Sequence, residues 1–246
     1  MQKPVLIIGN KNYSSWSLRA WLLLKAFDIE FDEQVIELFS PSAMPVLDAN
    51  SPTLKVPVLV DNEKVTVWDT LAIAIYANDY LTNIDIWSGK NKSAIETNAI
   101  NLKKDRAYCQ SIVAEMHSGL SGIRSEMPMN IRATARIEPS AACLKDIARI
   151  ESIFAECLAD KPLDSYLFGH FTVADAFYAP VVLRLQTYAE ASGISLKPTT
   201  KQYCRTILNN SHIQQWCADA LQETRIIDED EAGEIITTIG VLVKNN

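Results

Sequence analysis

The stretch that decides the fold reads VPVLVDNEKVTVWDTLAIAIYANDYL, from Val56 to Leu81. It opens with two short apolar, β-branched runs, Val56–Asp61 and Lys64–Asp69. Asp61-Asn62-Glu63 joins them by too short a turn for anything but an antiparallel hairpin. Apolar spacing then lengthens, and Leu71 to Leu81 closes the unit as a helix. Upstream, VLIIG (Val5–Gly9) predicts a buried strand, Leu18–Phe27 a helix and QVIEL (Gln34–Leu38) a second strand, with an irregular or helical segment before Val56. The order β-α-β-α-β-β-α demands an α+β unit, a small mixed four-stranded sheet with helices packed on it.

Downstream of Leu81 strand-like alternation gives way to long amphipathic segments. Helices are predicted over Lys92–Ser118, Ser140–Leu158, Val173–Ala191 and Ile213–Glu223, with a shorter one near Thr200–Leu208, so the second part is an all-α bundle. The polar stretch Thr82–Asn91 is the expected linker, which divides the chain into domains 1–82 and 92–246. Residues 226–246 run from acidic to apolar, as an added arm or a frayed end.

Composition narrows the function. With 246 residues, 48% of them hydrophobic, the chain can bury a sizeable core. Its net charge of −7, without a basic run or stripe, argues against nucleic acid as a partner. No apolar run approaches the roughly 20 residues that span a bilayer, and the apolar run after Pro4 is too short for a signal-peptide core. A soluble cytoplasmic protein is expected. The five cysteines (Cys109, Cys143, Cys157, Cys204, Cys217) show neither CxxC nor Cys/His ligand spacing, so they read as reduced, mostly buried thiols, and no metal site is expected.

Three short motifs carry chemistry. Asn12-Tyr13-Ser14-Ser15-Trp16-Ser17-Leu18-Arg19 opens the first helix; Ser14, Ser15 or Ser17 can serve as N-cap, or a hydroxyl beside the helix dipole can stabilise a thiolate. Pro57 must occupy an edge or the first position of its strand. As an ordinary trans proline it does only that; a cis bond turns Val56 outward and leaves its N–H and C=O free to pair with an extended peptide ligand. Asp69 and Thr70 stand where the closing helix begins, as a cap or as a hold on the amino and carboxylate ends of an amino-acid-like ligand.

Taken together and followed by a helical half, these motifs resemble the glutathione transferase family over roughly Pro4 to Glu223. Ser14-Ser15-Trp16-Ser17-Leu18-Arg19 resembles the Ser-Ser-Cys-x-x-Arg motif of zeta-class and related bacterial members. Asn50-Ser51-Pro52 through Lys55-Val56-Pro57-Val58-Leu59 resembles Asn-Pro-x-x-x-Val-Pro-x-Leu. Asp69-Thr70-Leu71-Ala72-Ile73 resembles Glu-Ser-x-Ala-Ile, and Thr172-Val173-Ala174-Asp175 resembles the capping box that starts a buried helix, a folding role.

The resemblance implies a thioredoxin-like N-terminal domain, followed by an all-helical domain that contributes the electrophile site. It implies a transferase that ionises the thiol of its co-substrate glutathione at Ser14 or Ser15 for attack on a small electrophile, by conjugation, isomerisation or dehalogenation. It places Val56 in main-chain pairing with a cis Pro57, Asp69 and Thr70 at the γ-glutamyl end, and Ser42 at a further contact. It also implies a homodimer. The alternative is a glutathione-binding or regulatory protein without turnover. Trp16 stands where zeta members carry Cys, which argues against disulfide exchange. Arg106, Tyr108 and Cys109 fall on the first long helix, where the family lines its electrophile site, although such a helix also needs charges on its exposed face. His117, His170 and His212 lack partners at metal or triad spacing and read as core or surface residues.

Overall fold

The computed structural model describes residues 3–95 and 100–239. Four strands, β1 (Val5–Ile8), β2 (Asp32–Val35), β3 (Val58–Val60) and β4 (Thr66–Trp68), form one mixed sheet in the order β2-β1-β3-β4. β2 runs parallel to β1, while β3 pairs antiparallel with both β1 and β4. Helices α1 (Ser15–Ala26), α2 (Ala43–Asn50) and α3 (Thr70–Tyr76) connect or close the strands, and α3 continues as a π-helical turn, Ala77–Leu81. The thioredoxin-like order expected from sequence is therefore present.

Alternation along β1 divides the interior. Leu6 and Ile8 face the main core with α1, Leu59 and Ile73, whereas Ile7 faces a smaller cluster of Ile36, Ala43, Leu47 and Val58. This explains why β2 begins two residues before its expected position. Ile36, which marks the predicted strand, is buried beneath the sheet as the chain leaves β2, and the strand itself is an exposed, polar edge.

The polar linker expected over 82–91 is instead built into the structure. β5 (Ile84–Asp85) and β6 (Lys90–Asn91) form a small hairpin, and Asp85, Ile86, Trp87 and Ser88 between and beside them are buried. Asn78 Oδ1 accepts the Ile86 N–H at 3.1 Å, and the Ile86 carbonyl accepts the Val173 N–H at the start of a helix in the second half. Its buried polar groups meet partners farther along the chain, Asp85 pairing with Arg106 and the Ser88 carbonyl with His170.

That second half contains α4 (Lys92–Ile95), α5 (Ile100–Ser118), α6 (Ser121–Glu126), α7 (Ala141–Leu158), α8 (Val173–Tyr188), α9 (Pro198–Leu208) and α10 (Ser211–Ala220). Two features go beyond the sequence expectation. α6 is a short helix absent from the sequence reading. It lies close enough to the start of α7 that a Cβ on Gly122 would come within 2.8 Å of the Ala142 backbone, and Asp146 accepts the Gly122 N–H. The other is a pair of strands, β7 (Ala133–Arg136) and β8 (Glu234–Thr238), joined antiparallel with a register shift between Thr134 and Ala135. The acidic-to-apolar stretch is thus an added arm through Thr238, and positions 240–246 lie outside the described residues.

The capping box at α8 forms as the sequence predicts. Asp175 is fully buried and accepts from Thr172 N, Thr172 Oγ1, Leu167 N and Tyr203 Oη at 2.9–3.1 Å. Burial lifts its carboxyl from 3.8 to about 6 against these hydrogen bonds. The folded protein therefore holds this proton more tightly than the unfolded chain. The group's contribution to stability is full below the unfolded value near 4 and declines as pH rises through about 6. Asp175→Asn, which sets an amide N–H against several donors, is expected to cost about 3 kcal/mol at pH 7. In urea unfolding the gap to wild type should be wider at pH 4 than at pH 7.

Candidate functional site

The turn from β1 into α1, Gly9 to Ser15, is buried along its whole length, so its polar groups must find partners inside the protein. Those partners come mostly from the second half. Glu223 accepts the Lys11 and Asn12 N–H groups at 2.6 and 3.0 Å. Asn12 Oδ1 accepts the Arg132 N–H, and its amide donates to Asn130. Lys11 Nζ lies 5.4 and 5.3 Å from the centres of the Trp21 and Trp216 rings, ion-paired with Glu33 and Asp219, while Trp216 Nε1 donates to the Lys11 carbonyl. The start of α1 is thereby clamped before the two serines are reached.

Those serines are differently employed. Ser14 is the N-cap; its hydroxyl donates to Ser17 Oγ at 2.7 Å and accepts weakly from Ser17 N–H, while Ser17 Oγ takes the Gly9 N–H. Ser15, the first residue of α1, accepts from Arg184 Nη2 at 2.9 Å, and its own hydroxyl proton has no acceptor among the described residues. Tyr13 is occupied elsewhere: its hydroxyl donates to Glu231 at 2.5 Å and accepts from Arg132, and burial and that carboxylate push it up to about 12.

Ser14 and Ser15 line a cavity of about 610 Å³. One wall is Leu38, Phe39, Leu54, Lys55 and Val56; the other is Ser121, Arg124, Ser125, Pro128 and Arg184, with Asp230 and Tyr13 completing it. The Val56–Pro57 bond is cis, and Pro57 immediately precedes β3. The Val56 N–H and C=O join neither ladder of the sheet, as the cis reading requires. Ser121, Arg124 and Ser125 share one face of α6 through their i, i+3, i+4 spacing.

Other predicted site residues lie outside this cavity lining. Asp69 has a φ of 75° and caps α3, accepting from Leu71 N at 2.8 Å, and its second oxygen is 3.4 Å from His117 Nε2. Thr70 is buried and donates to the Trp16 carbonyl, which ties α3 to the start of α1. Ser42 is exposed and bonded to Ser40. On α5, Arg106 pairs with Asp85, Tyr108 donates to Glu156 and Cys109 is buried, so none of the three reaches the cavity. His117 is half-buried at the edge of the site, stacked edge-on against Trp16 at 5.2 Å.

Sequence reasoning missed Arg124, Arg184 and Asp230. The sequence signal for Arg184 was a cation inside a long, largely apolar helix, and in the structure every residue of Val173–Leu185 is buried. Trp16 packs against two guanidiniums, Arg19 at 4.4 Å from its ring centre and Arg124 at 4.9 Å. Burial pushes Cys109, Cys157 and Cys204 up to about 12 and Cys143 and Cys217 up to about 11, and none of the five lines this cavity. A sulfur nucleophile working here has to arrive with a ligand.

Known proteins share this architecture. The chain matches the glutathione S-transferase N-terminal domain over residues 13–79 and the C-terminal domain over residues 135–217. It resembles a glutathione transferase homologue from Burkholderia solved with bound glutathione (18% identity, 88% of this chain and 97% of that one, TM-score 0.60). It also resembles an unclassified glutathione S-transferase from Bombyx mori (21% identity, 89% and 94%, TM-score 0.64). A shorter match, 35% identical over 65 residues, is to dichloromethane dehalogenase of Methylorubrum extorquens, covering 26% of this chain and 22% of that enzyme. With family models matched in both halves around a serine-bearing cavity, the chain belongs to the glutathione S-transferase family.

Proposed function

We propose that the protein is a glutathione-dependent transferase of the serine type, resembling zeta-class members, in which glutathione is the co-substrate and Ser15 holds its sulfur as a thiolate. The observation that carries this reading is the Ser15 hydroxyl, on the cavity wall at the N-terminus of α1, with its proton uncommitted. The unpaired Val56 main chain supports an extended cysteinyl segment lying along the edge of β3. Glutathione bound to the Burkholderia relative supports the same ligand here. In this reading Asp69 and Thr70 hold the γ-glutamyl end, and Ser42 contributes a further contact through a ligand that extends beyond the cavity.

At neutral pH an ordinary thiol near 8.5 is only a few per cent ionised, so a downward shift of about two units multiplies the reactive fraction more than tenfold. The thiol proton leaves to solvent. The sulfur pair then forms the C–S bond, and in a displacement the leaving group departs with the bonding pair. Addition to a conjugated double bond followed by release of the sulfur gives isomerisation instead. The short match to a dehalogenase supports displacement of a halide among these outcomes.

Pairing as a homodimer fits the exposed Trp68, Ile75 and Tyr80 on β4, α3 and the following turn. Among the described residues no helix is long and apolar enough to cross a membrane; detoxification in the cytoplasm is part of this reading through the family resemblance. A binding protein without turnover remains the second reading. Calorimetric titration with glutathione, followed by conjugation assays across aryl halides, haloalkanes and conjugated ketones, separates them: binding without turnover on any of these favours the second.

Ser15→Ala is expected to lower kcat/KM by about a hundredfold or more, the usual cost of removing one donor to a developing anion. Ser14→Ala should chiefly cost about 1 kcal/mol of stability as a lost N-cap, read by thermal melting. Sedimentation velocity should return a dimer, and a monomer at working concentration would contradict the pairing.

A further inference from the structure

Arg184 is nearly fully buried in α8, yet no carboxylate among the described residues pairs with it. Nη1 donates to the Met127 carbonyl at 2.5 Å, Nη2 donates to Ser15 Oγ, and Nε has no partner. Such a charge is costly to bury without a counter-ion, and this one borders the cavity. Burial brings the guanidinium down to about 10, which leaves it protonated at neutral pH. The other charged or titratable groups facing this centre are Arg19 from α1, Arg124 from α6, Tyr188 on α8 itself, Tyr13 from the turn before α1 and Asp230 from the C-terminal segment, with Lys55 on the far wall.

We infer that Arg184 is a positioning residue whose buried charge, relayed through Ser15, lowers the pKa of the bound thiol, the thiolate being the anion this guanidinium lacks. This rests on the reading of the cavity as a glutathione site. Geometry sets the direction of the relay. Because Ser15 Oγ accepts from Arg184, its hydroxyl is free to donate across the cavity, and donation to sulfur is strengthened by the charge behind it. Ser14 lacks such a partner and spends its proton on Ser17. The Met127 carbonyl, at the end of α6, fixes the guanidinium so that the helical half aims the serine of the sheet-bearing half.

The test is the ionisation midpoint of bound glutathione, followed by thiolate ultraviolet absorbance and by the pH profile of kcat/KM, in wild type, Arg184→Met, Arg184→Lys, Ser14→Ala and Ser15→Ala. The midpoint is expected to rise by a unit or more in Arg184→Met and in Ser15→Ala. At pH 6.5 activity should fall at least tenfold in Arg184→Met, recovering above pH 9, and Arg184→Lys should restore part of the shift. Ser14→Ala should leave the midpoint in place. A purely structural role for Arg184 would lower activity at every pH with the midpoint unmoved, and that result overturns the assignment. Should the Arg184 variants fail to fold, the serine pair still decides, since a midpoint moved by Ser14→Ala and not by Ser15→Ala overturns the relay. A wild type that does not bind glutathione overturns the reading of the site and the relay with it, whereas binding with an unmoved midpoint overturns the relay alone.

Discussion

The rest of this structure depends on the burial of the turn between β1 and α1. A loop on the surface satisfies its polar groups with water; this one runs through the interior, so each N–H and side-chain amide needs a protein partner. Some come from the turn and α1 themselves, but Glu223, Asn130 and Arg132, more than a hundred residues away, supply those of Lys11 and Asn12. Removing one such partner leaves a buried donor or acceptor unsatisfied, which costs more than the bond itself contributes. The packing of the helical half and the placement of Ser14 and Ser15 are for this reason one event.

Electrostatics around Trp16 follows from the same arrangement. Arg19, Arg124 and Arg184 come from three different helices and converge on one corner, two of them packed against the Trp16 indole. Carbonyl oxygens satisfy much of their hydrogen bonding: Phe177 and Ser15 for Arg19, His117 and Gly119 for Arg124, Met127 for Arg184. Carbonyl dipoles orient a guanidinium without neutralising it, so positive potential persists at the cavity.

The C-terminal arm joins this design by a separate route. β8 pairs with β7 and carries the chain past Asp230, on the cavity wall, and Glu231, bonded to Tyr13. Tyr13 therefore acts as a strut, its hydroxyl held between Glu231 and Arg132. The arm also accounts for the acidic run Asp228–Glu231: two of its four carboxylates face inward, where arginines of the helical half have left positive charge.

Hydrophobic period, turn residues and caps determined much of this protein from the sequence alone. The hairpin after Val56, the helices before and after it, the capping box at Thr172 and Asp175 and the serine motif at α1 are local patterns, each set by residues within a few positions of one another. What the sequence left hidden depends on contacts between distant segments: the built-in hairpin at 82–91, the β7–β8 pair, the inward-facing Arg184 and the different duties of Ser14 and Ser15. An arginine in an apolar helix is read from sequence as a misfit, because the carbonyl and hydroxyl it serves lie 57 and 169 residues away. Local propensity is written in neighbouring residues, whereas the partner of a buried polar group is chosen only when the two halves close on each other, and that closure decided this site.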